Sequence, residues 1–436
     1  MDEILPYLET DAELEFLITL RRAFHQYPEV GFTEFWTTSK ICESLSKWEY
    51  ELFYGHDLYT QESRQRLRRI VDDTVQQKAY QSAREKLHDH QWLDHLKGGY
   101  TGVIAHLRGR EPGPKVGFRF DIDGLPIQES TDPTHIPFER GFVSTNSNMH
   151  ACGHDGHITV GLGLAQKILE HQHTLKGDVY LIFQPAEEVP LGGCLFSQLD
   201  IIQQLDYFIP IHIGLINQRK IVCGVSFLAS KQFDVMFTGR SSHAGASPEE
   251  GKNALLAACH AVCALYGIAR HSEGISRINV GEFISENANN VISDSAKFAI
   301  DIRGQTNGIC DYLAEQAENI IQGAAHMYGV DGQVQQRSET ITANNSPAMI
   351  DLIETAALKA GIHHHAILKE HFMPVSEDAT YMMHEVQKNG GLSSFLCVGS
   401  PTVRGHHNPQ FDFDEDILLW GVRVLWECML QIIAHQ

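Results

Sequence analysis

Leu14, Leu17, Leu20 and Phe24 recur at helical spacing over residues 11–26 and stop at Tyr27-Pro28. That pattern predicts an amphipathic helix followed by a loop from Glu29 to Glu34, with a second helix over 37–45. From about 61 to 97, Leu67, Val71, Val75, Ala79, Ala83 and Leu87 step by four among many Arg, Lys, Gln and Asp residues. This predicts a helical insertion carrying one buried stripe, closed by Gly98-Gly99. Short apolar runs then alternate with helical ones, predicting strands over 101–107, 116–120, 178–183 and 207–213 and a helix over 159–169. Apolar strands separated by helices indicate an α/β layer with a mainly parallel sheet.

Near Ser230 the period changes. Phe233, Val235 and Phe237 alternate with polar residues, as in a strand with one solvated face. A helix over 251–270, strands over 277–283 and 295–303, a helix over 310–327 and a strand over 333–337 complete an α+β pattern of about domain size. The α/β signals resume with a helix over 348–360, a strand over 394–398 and a helix over 415–433. The expected organisation is therefore an α/β catalytic domain over 1–229 and 339–436, with its helical insertion at about 55–98. A second, α+β domain over 230–338 is inserted into it.

Composition changes this picture little. A chain of 436 residues exceeds what one hydrophobic core usually serves, which fits two domains. The net charge of −21 argues against partners that need basic surface, namely nucleic acid and anionic membrane. The start, Met1-Asp2-Glu3-Ile4-Leu5, lacks a basic n-region and an apolar run, so no leader is expected. The nine cysteines form no CxxC pair, which fits reduced thiols and a cytoplasmic location.

Candidate chemistry is concentrated in Met149-His150-Ala151-Cys152-Gly153-His154-Asp155-Gly156-His157. His, Cys and Asp bind borderline-soft divalent metals, and no finger-like second pair follows. Further ligands must then come from distant positions. Cys152 and His154 would leave the same side of an extended backbone. The other predicted strands also end in polar groups: Asp121 and Asp123, then Glu187 and Glu188, then His212, with the pair His406-His407 later. Sheets of this kind gather ligands past the carboxyl ends of their strands. Adjacent Glu187 and Glu188, pointing to different sides of extended chain, could divide the work, one on a metal and one on a water. In the inserted domain, Ser242-His243-Ala244-Gly245 offers an imidazole, while Asn290 and Arg303 offer donors for a substrate carboxylate. No GxSxG elbow and no phosphate-binding glycine loop is present.

The chain resembles the two-metal amidohydrolases, the aminoacylase, hippurate-hydrolase and auxin-conjugate-hydrolase branch of the carboxypeptidase-like peptidases. The resemblance is carried by Arg21-Arg22-Ala23-Phe24-His25-Gln26-Tyr27-Pro28-Glu29 with Gly31, by residues 149–157 and 184–188, and by His212, Ser242–Gly245 and His407-Asn408-Pro409. It implies that Cys152 bridges two divalent ions, Mn²⁺ or Zn²⁺, with His154, Glu188, His212 and His407 as the other metal ligands. Glu187 would be the general base, with Asp123 orienting a ligand. His243 would stabilise the oxyanion in a neighbouring subunit's site, and Asn290 and Arg303 would hold the substrate carboxylate. The implied reaction releases an amino acid from a small-molecule N-acyl amino acid, foremost aminobenzoyl-glutamate, with hippurate-type substrates or dipeptides as alternatives. The implied assembly is a homodimer, or a hetero-oligomer with a related subunit in which this chain is either active or a non-catalytic partner. Two departures fall beside the site: Val189-Pro190 after Glu188, and Met373-Pro374-Val375 before Ser376.

Overall fold

The computed structural model describes residues 11–434, so the leader expectation at Met1 to Leu5 lies outside the described residues. Contacts divide the chain into two units. One runs to Ser226 and adds Ala343–Phe372 and the chain from Asp378 onward; the other comprises Phe227–Thr342 with Met373–Glu377.

The first unit is an α/β layer around a nine-stranded sheet. Its centre is parallel: Lys176–Gln184, Glu111–Asp121, Tyr207–Ile213 and Leu396–Val398 lie side by side in that order. Antiparallel Val103–Arg108 and Glu51–Tyr54 extend one edge. These central strands are continuous apolar runs because both faces are covered; Val116, Phe118 and Phe120 are as buried as Leu181, Ile182 and Phe183. Register pairs Asp121 with Gln184 and Arg119 with Pro210, so the three long parallel strands end at one rim of the sheet. The helix His154–Glu170 lies tightly on the sheet. A Cβ at Gly161 would come within 2.7 Å of Phe183 and 2.8 Å of Phe120, so glycine permits the approach.

The insertion differs from its expectation. Its apolar residues step by four across a helix interruption at Val71-Asp72, so the stretch forms two helices, Gln61–Ile70 and Asp73–Lys86, with no single stripe running through both. Asp72 caps the second, its carboxylate accepting from the Thr74 and Val75 N–H groups at 2.7 and 3.1 Å. The second helix therefore buries Gln76, Tyr80 and Ala83, while Val75 of the expected stripe is 49% exposed.

The second unit is a four-stranded antiparallel sheet, ordered Asp331–Thr340, Ala229–Thr238, Ser295–Gly304, Ser276–Ile284. Helices Ala254–Leu265 and Asn307–Tyr328 cover one face, packing Ala257, Ala261, Leu313 and Ile321 onto Val235, Phe237, Phe298 and Ile300. The short segment Met373–Glu377 joins this unit from far along the chain. Among the described residues no helix is long and apolar enough to cross a membrane, and all nine cysteines are free.

Candidate metal centre

The rim of the parallel sheet brings five stretches of the first unit together. Strand Glu111–Asp121 delivers Asp121 and, two residues on, Asp123. Strand Lys176–Gln184 leads to Glu187 and Glu188, and strand Tyr207–Ile213 carries His212. Cys152 and His154 do not sit on extended chain as expected. Cys152 lies in a turn, and Gly153 at φ 89° redirects the backbone so that His154 opens the helix His154–Glu170. Only glycine adopts that conformation freely. Glu187 and Glu188 likewise lie in a turn rather than extended chain, after Ala186 at φ 55°.

Cys152, His154 and His212 place their ligand atoms within 4.8 Å of one another, as do Cys152, Glu188 and His407, and His154, Glu187 and Glu188. The Cys152 Sγ to His212 Nε2 distance is 3.5 Å, and His407 Nε2 lies 3.2 Å from Glu188 Oε1. Backbone carbonyls hold two of the imidazoles. His154 Nδ1 is 2.8 Å from the Asp123 carbonyl, and His212 Nδ1 is 2.7 Å from that of Ile213. Each Nδ1 must carry a proton to donate there, which leaves Nε2 as the ring atom aimed at the cluster. His154 Nε2 is buried and has no hydrogen-bond partner. Asp123 adds a second hold, its Oδ2 accepting the Glu188 N–H at 2.9 Å.

The neighbours are engaged differently. His157 spends Nδ1 on Asp121 and Nε2 on the Ile213 N–H, and His406 Nε2 lies 3.4 Å from the Ile213 carbonyl. His407 therefore faces Glu188, whereas His406 faces backbone.

Charge in the cluster is uneven. Burial opposes a proton on His154, but Asp121, Asp123 and Glu188 outweigh it and raise its pKa to about 10. Burial and His157 push His212 well below its ordinary value. Burial, then Glu188, Glu187 and Asp121, push the Cys152 thiol well up. Thiol, imidazole and carboxylate donors converging at an electron-rich site, buried except at its His407 edge, suit divalent cations, which would neutralise the carboxylates and stabilise the thiolate.

Several supporting residues escape a reading of the sequence. Arg119 is buried beneath the rim, its Nη1 2.8 Å from Asp121 Oδ2 and its Nη2 3.2 Å from Asp378 Oδ1. Glu34 accepts the Ala186 N–H at 2.8 Å and the Thr101 hydroxyl at 2.6 Å, fixing the turn that carries Glu187 and Glu188. Arg21 reaches Asp155 and Asp412, both at 2.7 Å, and His25 bridges Asp155 and Glu129. Buried charge is uncommon, so nothing in a lone Arg or Glu announces it.

His243, Asn290 and Arg303 belong to the second unit. His243 is exposed, and its Nδ1 accepts from the Gly245 and Ala246 N–H groups at 3.1 Å each, which puts its proton on Nε2. The Asn290 carbonyl accepts the Ala244 N–H. Arg303, on the open face of its strand, pairs with Asp301 at 2.9 Å.

Residues 117–431 match the model of peptidase family M20/M25/M40. The chain belongs to this family. With it, the chain is a metal-dependent hydrolase of amide bonds, as the donor cluster leads one to expect. It is 40% identical over 408 residues to one subunit of the p-aminobenzoyl-glutamate hydrolase of Escherichia coli, covering 93% of each chain. The same identity and coverage relate it to the indole-3-acetyl-aspartic acid hydrolase of Enterobacter agglomerans. Among solved structures, an aminobenzoyl-glutamate utilization protein from Klebsiella pneumoniae superposes with a TM-score of 0.77 at 33% identity, covering 97% of this chain and 98% of that one.

Proposed function

We propose that the chain hydrolyses the amide bond of an N-acyl amino acid, with aminobenzoyl-glutamate as substrate and aminobenzoate and glutamate as products. The observation that carries the proposal is the pair of imidazoles whose backbone-bound Nδ1 atoms turn Nε2 of His154 and His212 toward Cys152 and Glu188. In this reading Cys152, His154, Glu188, His212 and His407 hold two divalent ions, Mn²⁺ or Zn²⁺. Such ions supply electrophilic polarisation of the scissile carbonyl and lower the pKa of water.

Glu187, next to the ligand Glu188 and outside the five, takes the proton of the attacking water and passes it to the leaving amide nitrogen. Asp123 keeps His154 and Glu188 in place through its carbonyl and its carboxylate. His243 is assigned, as the resemblance implies, to a neighbouring subunit's site, where its Nε2 proton suits a carbonyl oxygen on which negative charge builds. Asn290 and Arg303 are assigned to the substrate carboxylate on the family resemblance. The Escherichia coli relative is named as one subunit of its hydrolase, which supports assembly with a second, related chain.

The equal similarity to an indole-acetyl-aspartate hydrolase favours a second reading, the same chemistry on a different aromatic acyl group. A panel of aminobenzoyl-glutamate, indole-acetyl-aspartate and hippurate, assayed with the chain alone and with its partner subunit, decides between them. Fastest turnover of aminobenzoyl-glutamate supports the proposal, and no turnover of it under either condition ends it.

A further inference from the structure

The helical insertion borders an open cavity of about 830 Å³, formed within the first unit and lined by residues outside the metal centre. That volume lies in the range of small-molecule sites. Its walls are mixed in a specific way. Phe35, Tyr80 and Tyr100, all buried, give it aromatic surface. Arg68 of the helix Gln61–Ile70 and Arg84 of the helix Asp73–Lys86 line it, and neither guanidinium makes an ion pair or side-chain hydrogen bond among the described residues. Lys97 is different, because Asp94 holds it at 2.8 Å.

The third feature is Gln76, buried on the cavity wall. Its Nε2 donates to the Phe32 carbonyl, which fixes the amide orientation, and its Oε1 is left buried without a partner. A buried acceptor of this kind is costly unless a donor reaches it. Asp73 precedes Gln76 by one turn on the same helix face and also lines the cavity. Arg84 follows Gln76 by two turns on that face, about 12 Å of helical rise, and its long side chain leans back toward the N-terminus. One end of that helix thus offers acceptors and the other a cation, Arg84, with aromatic rings on the cavity wall, while Arg68 lines the cavity from the preceding helix.

The charge of the region fits. Residues 61–86 hold seven Lys and Arg against four Asp and Glu, in a chain whose net charge is −21. A net-positive stretch in an acidic chain suits a small anionic ligand.

We infer that the insertion is a second binding site, for a single-ring aromatic carboxylate that bears a hydrogen-bond donor at its far end. Arg84 takes the carboxylate by forked N–H donation, and Arg68, also on the cavity wall, adds positive charge. Phe35, Tyr80 and Tyr100 pack the ring, and Gln76 Oε1 accepts from the donor. The aminobenzoate released in the proposed reaction has this chemistry. That choice of ligand rests on the proposed function, whereas the site does not, since binding here involves none of the metal-centre residues.

Isothermal titration of the metal-loaded chain with 4-aminobenzoate tests the inference, with 4-aminobenzamide and 4-nitrobenzoate as probes lacking the charge and the donor. The variant is Arg68→Ala/Arg84→Ala. Both positions are exposed and helical, and alanine keeps the helices. Saturable binding of 4-aminobenzoate, weakened about tenfold or more by the double substitution and for each altered probe, is the expected result. Equal affinity of wild type and double variant, or no saturable binding at all, overturns it. Hydrolysis of aminobenzoyl-glutamate by the same preparations is read separately. A chain that hydrolyses but shows no Arg-dependent binding refutes only the second site, and one that binds but hydrolyses neither alone nor with its partner subunit refutes only the proposed reaction.

Discussion

Replacing Arg21 by methionine removes a charge from a buried ion network of the first unit while keeping most of the side-chain volume. Arg21 is fully buried. Its Nε and Nη2 contact Asp155 Oδ2 and Asp412 Oδ1 at 2.7 Å each, and Nη1 reaches Glu415 Oε1 at 3.2 Å. Burial alone would raise the Asp155 carboxyl, yet Arg21 and His25 hold it well below the usual carboxylate range. Two short, desolvated hydrogen bonds between charged groups contribute about 1.5–3 kcal/mol each, and breaking a buried pair by deleting one partner costs about 3–5 kcal/mol. His25 and Arg22 remain to pair Asp155 and Glu415, so the lower part of that range, about 3 kcal/mol, is the expected loss. A single domain has only about 5–15 kcal/mol in total. Urea unfolding at neutral pH, followed by near-UV circular dichroism, measures the loss. A cycle with Asp412→Asn should show the double variant losing less than the two single losses combined, because the second deletion removes a charge the first left unpaired. A midpoint for Arg21→Met within about 0.5 kcal/mol of wild type, as for a surface substitution, would refute the reasoning.

Three further outcomes follow from the same geometry. His25 is raised to about 9 because its hydrogen bonds to Asp155 and Glu129 overcome burial, so its folded-state proton is held more tightly than in the unfolded chain. The stability this supplies is full below the ordinary imidazole pKa and fades as pH rises to about 9; the wild type should lose unfolding free energy over that window and His25→Asn should lose less of it, and parallel pH profiles would contradict it. Gly153→Ala meets no atom closer than 3.8 Å, so its effect is backbone strain of about 1–2 kcal/mol at φ 89°; bound-metal analysis should show weakened retention because Cys152 and His154 flank the turn, and unchanged retention would separate the turn from the site. Glu187→Gln should keep its metal and lose about 100-fold or more in kcat, whereas full activity would remove Glu187 as the base.

Much of the fold is legible because burial writes itself into periodicity. Strand Tyr207–Ile213 is read to the residue, its unbroken apolar run being what a strand covered on both faces requires. The alternation of Phe233, Val235 and Phe237 likewise marks a sheet with one open face. The pattern fails where two helices share a spacing. Leu67, Val71, Val75 and Ala79 are in step, but Asp72 starts a new helix with its own buried face, and the capping signal Asp72-Asp73-Thr74 is the only clue. At the candidate metal centre, the sequence offers the residue types that the structure brings together, but not their backbone. Spacing alone puts Cys152 and His154 on extended chain, although Gly153 between them is the residue able to turn it. The buried charges Arg21, Glu34 and Arg119 have no local signature, since what recommends a charge to the interior is a partner far along the chain.

The most direct measurement is the rate of aminobenzoate release from aminobenzoyl-glutamate by chelator-stripped chain, supplied with its partner subunit, as Mn²⁺ or Zn²⁺ is titrated back. Release that vanishes on stripping and returns to a plateau near two ions per chain is the expected result. Hydrolysis that persists undiminished in the stripped chain, with metal analysis showing none bound, would contradict a metal centre built on Cys152, His154, Glu188, His212 and His407.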